Sequence, residues 1–330
     1  MSNDDNLYHY TSAAGLLGIV DRISQASFPN VYATTNHPLY AEYTYDRTLR
    51  FQASDVRFMN DHAELKTAGK VFAQKIRDAA GDSGGDHPLL PLARELRANG
   101  LLPDPAQVFA ASFTTEPDDL SQWRGYAGGT GGFAIGIPRE VLENHTFPMF
   151  NWPEPENPRL DSVISFPADG DVVEVSYESA AIERDADEFI SRYANKPALG
   201  PHDLAFARFE MAKHLARHKD DSFKAEQEFR VMTHTAPPTT STNPPFGELR
   251  LSGYGLSPFT AFAINLGTHW RPAAETTIAR LIVGPGPYQD VQVIAARQLL
   301  SVNGHDPGVV EPSGRDCKNN GVTLKGDTPL

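Results

Sequence analysis

Short strand patterns are scattered among helix patterns in this chain, with no regular strand–helix–strand alternation, and that arrangement constrains the fold most. It disfavours a doubly wound parallel sheet and points to an α+β fold. Residues 7–11 alternate, with Leu7, His9 and Thr11 on one face and Tyr8 and Tyr10 on the other, which predicts a short strand. Thr11 or Ser12 can cap a helix over 13–20 that has Leu16, Leu17, Ile19 and Val20 to bury. Asp61-His-Ala-Glu64 has the spacing of a capping box, so a helix starts there and runs towards Asp78. Strands are expected over 108–114, 133–137, 172–177, 224–233 and 278–283, and helices over 120–127, 203–218 and 291–302. Residues 82–91 and 103–105 read as loops.

The chain of 330 residues is long enough to bury a sizeable core without disulfides or metals, and we expect one domain over 1–330. Loop insertions are expected near 145–170 and 234–250, the latter around a proline-rich run at 236–245, with an irregular C-terminal tail from about 304. A single cysteine, Cys317, excludes an intramolecular disulfide framework and suits a reducing compartment. The acidic start, MSNDDNLYHY, lacks the basic beginning and apolar run of a signal peptide. The apolar stretch at 259–266 is too short to span a bilayer, so the expectation is a cytoplasmic protein without membrane partners. A net charge of −13 argues against broad, non-specific nucleic-acid binding, which rests on counterion release by Lys and Arg.

Chemistry gathers at three places. On a strand beginning at Lys224, Glu226, Glu228 and Arg230 share one face, while Ala225, Phe229 and Val231 share the other. That places the two carboxylates about 7 Å apart. One can then stabilise an oxocarbenium-like transition state while the other takes a proton from the attacking group. The same pattern also suits a solvated strand face with cross-strand charge pairs. His9, on a strand leading into a helix N-terminus, can hydrogen-bond a sugar hydroxyl or serve as a structural histidine. Trp123 and Tyr126, three apart on a helix, share a face that can stack on a pyridinium ring or fill a core.

Other patterns offer less. Gly128-Gly-Thr-Gly-Gly132 matches neither the P-loop nor the dinucleotide fingerprint and reads as a turn. Glu210, His214 and His218 lie four apart on one helical face, yet nothing nearby completes a zinc signature, so no metal is expected. Cys317 has no evident partner base for nucleophilic catalysis.

Several segments, in order, resemble a bacterial family known as domain of unknown function twenty-nine seventy-one. They are Leu7-Tyr-His-Tyr-Thr-Ser12 with Gly15-Leu-Leu-Gly-Ile19, Arg57-Phe-Met-Asn-Asp-His-Ala-Glu64, and Ala111-Ser-Phe-Thr114 with Leu120-Ser-Gln-Trp-Arg-Gly-Tyr126. Gly132-Phe-Ala-Ile-Gly136, Val175-Ser-Tyr177, Glu226-Gln-Glu-Phe-Arg230 and Ile282-Val-Gly-Pro285 complete the set. The layout is remotely similar to the ADP-ribosyltransferase superfamily, which implies a split, twisted β-core with surrounding helices and NAD as co-substrate.

By that resemblance Glu228 and Glu226 are catalytic: Glu228 holds the nicotinamide ribose and Glu226 prepares the acceptor. His9, Thr11, Tyr126, Trp123, Ser112 and Arg230 bind NAD, with Tyr126 ahead of Trp123 for stacking on nicotinamide. Two departures stand out. The spacing of Ser121 and Tyr126 differs from the Ser-x-x-Tyr helix of poly-ADP-ribosylating enzymes, and Asn60-Asp61 has no counterpart in the better-known branches. The expected function is transfer of ADP-ribose to a macromolecular acceptor, protein or nucleic acid, in a toxin or antiphage effector. The alternative is a non-catalytic nucleotide or nucleic-acid sensor in which Arg230, Arg124 and Arg57 meet phosphate. A third reading is metal-dependent phosphodiester hydrolysis.

Overall fold

A computed structural model describes residues 5–20, 47–59, 62–82, 87–96, 108–126, 131–146, 171–196, 198–234, 248–252, 255–265 and 273–315. In chain order the strands are β1 (Asn6–Thr11), β2 (Leu49–Asp55), β3 (Val108–Thr114), β4 (Phe133–Pro138), β5 (His145–Thr146), β6 (Asp171–Glu174) and β7 (Glu228–His234). They continue with β8 (Glu248–Ser252), β9 (Gly255–Ile264), β10 (Arg280–Val283) and β11 (Val310–Pro312). The α-helices are α1 (Ala13–Val20), α2 (His62–Asp82), α3 (Leu90–Leu96), α4 (Leu120–Tyr126), α5 (Arg139–Leu142), α6 (Ser179–Tyr193), α7 (Pro201–Leu215) and α8 (Gln289–Val302). The class is α+β. Asn60 and Asp61, the insertion from 147 to 170, the proline-rich run at 236–245, Gly128 to Thr130 and Cys317 lie outside the described residues.

The chain gathers into two compact units, each assembled from separate stretches of sequence. The first comprises 1–50, 113–144 and 264–330. Within it, β4 is central. It pairs antiparallel with β1 along the whole strand, from Asn6↔Pro138 to Thr11↔Phe133, and antiparallel with β10 on its other side. β10 pairs in turn with β11 in parallel, Leu281 opposite Val310. The alternation read in β1 holds: Tyr8 and Tyr10 are buried on one face and join Trp123, Ala134 and Ile282 in one cluster, while His9 and Thr11 on the other face are half-buried. Gly136 is required by this packing, because a Cβ there would sit 2.6 Å from the Tyr8 ring. α1 begins where Ser12 Oγ accepts the Gly15 amide at 3.2 Å, the cap that the sequence predicts.

The second unit comprises 51–112 and 145–263. Its core is helical, with Phe72, Ile76, Leu92, Leu96, Phe189, Met211 and Leu215 packed against Val108, Ala110 and Met232. β2 pairs antiparallel with β3, β6 antiparallel with β7, and β8 with β9 as a hairpin. Pro201 opens α7, where a missing backbone N–H costs nothing.

Several expectations need correction. The helix expected over 203–218 stops at Leu215, because His218 leaves it to form a parallel bridge with Ser176. The presumed loop at 82–91 already contains the start of α3 at Leu90. The tail expected to be irregular from about 304 carries β11. There Asp306 accepts the Gly308 amide at 2.8 Å, making a short turn that delivers Val310 to β10. The strand expected from Lys224 begins only at Glu228, for a reason that matters for the site.

Candidate functional site

In the second unit, Asp220 Oδ1 accepts the Ser222 amide at 3.0 Å and starts a 3-10 turn over Asp221–Glu226. The turn ends at Gln227, whose φ of 43° is left-handed, and only then does the chain extend into β7. Glu226 and Glu228 therefore do not alternate along one strand. A third residue reunites them. Lys219 Nζ lies 2.6 Å from Glu226 Oε2 and 3.1 Å from Glu228 Oε2.

The backbone fixes these parts. The Ser176 amide donates to Arg217 O at 2.8 Å and the Lys219 amide to Ser176 O at 3.0 Å, which pins the loop after α7. The Glu228 amide donates to the Tyr177 hydroxyl oxygen at 2.8 Å, and Glu228 O accepts the Val175 amide at 2.9 Å. Arg230, two residues along β7, donates from Nε to Glu228 Oε1 at 2.7 Å and from Nη2 to Oε2 at 3.0 Å. Its Nη1 donates to Ala216 O at 2.7 Å. Ser112 adds a side-chain hydrogen bond to Glu228.

Burial alone would raise the Glu228 pKa, but the Arg230 guanidinium, the Lys219 ammonium and the Ser112 hydrogen bond outweigh it and hold the group at about 2. Glu228 is thus buried yet ionised at neutral pH. Lys219 is equally enclosed, its side chain 2% exposed, with Nζ 4.9 Å from the Phe223 ring centroid. Burial also raises the Tyr177 phenol, so it stays neutral as the acceptor of the Glu228 amide.

The first unit holds His9, Thr11, Trp123 and Tyr126, whereas Ser112, Glu226, Glu228 and Arg230 belong to the second. Trp123 and Tyr126 do not share an environment, contrary to the expectation from their spacing: Trp123 is 4% exposed and Tyr126 42%. Trp123 is a core residue. It meets Tyr10 edge-on at 4.6 Å, and Gly284 lies so close that a Cβ would come within 2.8 Å of the indole. Tyr126 is the more exposed of the two rings. His9 lies against Phe113 with ring centroids 5.4 Å apart.

Sequence reasoning missed Asp118, which organises this segment. It accepts the Trp123 indole N–H at 2.7 Å, the Ser313 hydroxyl at 2.7 Å and the Gly314 amide at 3.0 Å. Nearby, the Tyr10 hydroxyl donates to Glu116 O and accepts the Asp119 amide, each at 2.8 Å. Asp119 in turn caps α4 by accepting the Ser121 amide at 2.8 Å.

The arginines expected at a phosphate are otherwise engaged in two of three cases. Arg230 grips Glu228, and Arg57 forks onto Asp55, with Nη2 2.6 Å from Oδ2. Among the described residues no group of three His, Cys, Asp or Glu is arranged to hold a metal. His214 Nδ1 and His218 Nε2 instead converge on Asp185 Oδ2, at 3.4 and 3.1 Å. Burial would raise Asp185, but the two imidazoles hold it well below the usual carboxylate range.

No curated protein and no solved structure matches the chain. One family model does, over residues 122–231, a stretch that takes in Trp123, Tyr126, Lys219, Glu226, Glu228 and Arg230 and leaves His9, Thr11 and Ser112 before it. Over that third of its length the chain resembles the family described as protein of unknown function, DUF2971.

Proposed function

We propose that this protein is an ADP-ribosyltransferase-like enzyme with a split, twisted β-core. It takes NAD as co-substrate and passes ADP-ribose to a protein or nucleic-acid acceptor, as a cytoplasmic toxin or antiphage effector. One observation supports the reading most: Glu228 is held ionised out of water, with Glu226 on the same ammonium group. A fixed anion in a low-dielectric setting stabilises a positive ribosyl centre far better than the same charge in water.

In this scheme Glu228 accepts a hydrogen bond from a hydroxyl of the nicotinamide ribose and faces the oxocarbenium-like transition state. The bond between ribose C1′ and the nicotinamide nitrogen breaks, its electron pair leaving with nicotinamide. A lone pair of the acceptor forms the new bond to C1′, and the acceptor's proton passes to Glu226.

The test is nicotinamide release from NAD by the full chain, compared with Glu228→Gln. Release from the wild type should fall by about a hundredfold or more in the variant. Equal release from both, above a heat-killed control, overturns the role of Glu228.

A further inference from the structure

We infer that Lys219 is a latch: its ammonium closes Glu228 to a substrate hydroxyl and opens it by swinging onto Glu226 alone. The inference rests on the role proposed above for Glu228. An ionised carboxylate offers about four lone-pair directions. Arg230 takes two of them, Lys219 a third and Ser112 the fourth. A ribose hydroxyl can bond to Glu228 only by displacing one of these donors.

Arg230 is the least movable, because its planar fork is also tied to Ala216 O. The Ser112 hydroxyl rides on β3 with a single side-chain torsion and little reach. Lys219 differs from both. Its backbone is fixed through Ser176, but its four-carbon stem carries three rotatable donors. It already has a second acceptor in Glu226, at 2.6 Å against 3.1 Å for Glu228. Glu226 is also the more exposed carboxylate, 22% against 6%, so an ammonium that follows it moves outward from Glu228. The Phe223 ring faces the ammonium as well, with its centroid 4.9 Å from Nζ.

The experiment has two arms, using the full chain with Lys219→Met, Lys219→Gln and Lys219→Arg, each checked for a wild-type circular dichroism spectrum. In the first arm, nicotinamide release is measured across NAD concentrations. Removing the ammonium should raise kcat/KM by roughly tenfold through a lower KM, because one charge-assisted hydrogen bond no longer competes with substrate. Lys219→Arg should return it to the wild-type value. A loss in Lys219→Met and Lys219→Gln that Lys219→Arg restores makes Lys219 a requirement for turnover and overturns the latch.

The second arm needs no NAD. The carboxyl carbon resonance of Glu228 is followed against pH, and loss of the ammonium should raise its midpoint by about one pH unit. An unmoved midpoint overturns the latch whatever the first arm gives. A raised midpoint with no nicotinamide release from any protein sustains the Lys219 contact and overturns the proposed function instead.

Discussion

Asp118 and Glu228 each bind several donors, but donors of opposite character. Asp118, in the first unit, is held by an indole, a hydroxyl and a backbone amide, all neutral. Glu228, in the second, is held by two cations and a hydroxyl. The first arrangement ties together distant parts of the chain, since Asp118 and Ser313 are 195 residues apart. The second keeps a charge in a place where it would not otherwise survive. Neutral donors can be lost one at a time at modest cost, because a half-buried carboxylate still finds water. A buried charge that loses its counter-ion has no such recourse.

The largest effect should therefore follow from Arg230→Met. It leaves Glu228 buried with the Lys219 ammonium but without its guanidinium partner, and should cost about 3–5 kcal/mol in a urea unfolding titration. The double variant Arg230→Met with Glu228→Gln should recover a large part of that loss. If the single variant were as stable as wild type, the contrast between the two carboxylates would fail.

Acid supplies the next test. The folded-state pKa of Glu228 is depressed from its ordinary 4.5 to about 2, so folding favours the ionised form. The stabilisation is fully present above pH 4.5 and is lost as pH falls from there towards 2, a change on the order of 3 kcal/mol. Urea midpoints measured between pH 6 and about 2.5 should fall along that course in wild type. In Glu228→Gln the slope attributable to this group should vanish.

Asp118→Ala comes third. It strands the Trp123 indole N–H and the Ser313 hydroxyl and should cost about 2 kcal/mol, with little effect on the acid response of Glu228. Trp123→Phe, which removes one donor but keeps most of the ring's packing, should cost less. Reversal of that order would mean that the indole, rather than the carboxylate, organises the segment.

Legibility followed the range of the interactions. β3 and α1 have the bounds that their residue patterns predict, because burial periodicity and a Ser12 cap are local signals. The Leu49–Asp55 strand was missed, although apolar Leu49, Phe51 and Ala53 alternate with Arg50, Gln52 and Ser54 along it. So was α6, whose Ala186, Phe189, Ile190 and Tyr193 recur at helical spacing and are buried. The run Glu226-Gln-Glu-Phe-Arg230 misled because its alternation is strand-like in both halves. A left-handed Gln227 preceded by an Asp220-capped turn leaves no period-two trace. Lys219 and Asp118 were out of reach for a different reason. Their partners are set by the bridge at Ser176 and by a segment near 313, neither of which any local pattern encodes.

The smallest effect sharpens the comparison by holding charge constant and changing only burial. Arg184 and Glu178 form an ion pair of 3.3 Å in the same unit as Glu228, but their side chains are 66% and 71% exposed. Water already solvates both groups, so Arg184→Ala should change the unfolding free energy from a urea titration by less than about 0.5 kcal/mol, and high salt should erase even that. Arg230 and Arg184 carry the same charge and each faces a glutamate. A tenfold difference in the cost of removing them would place the energetics in desolvation rather than in pairing, whereas similar costs would show that Glu228 relaxes to water once Arg230 is gone.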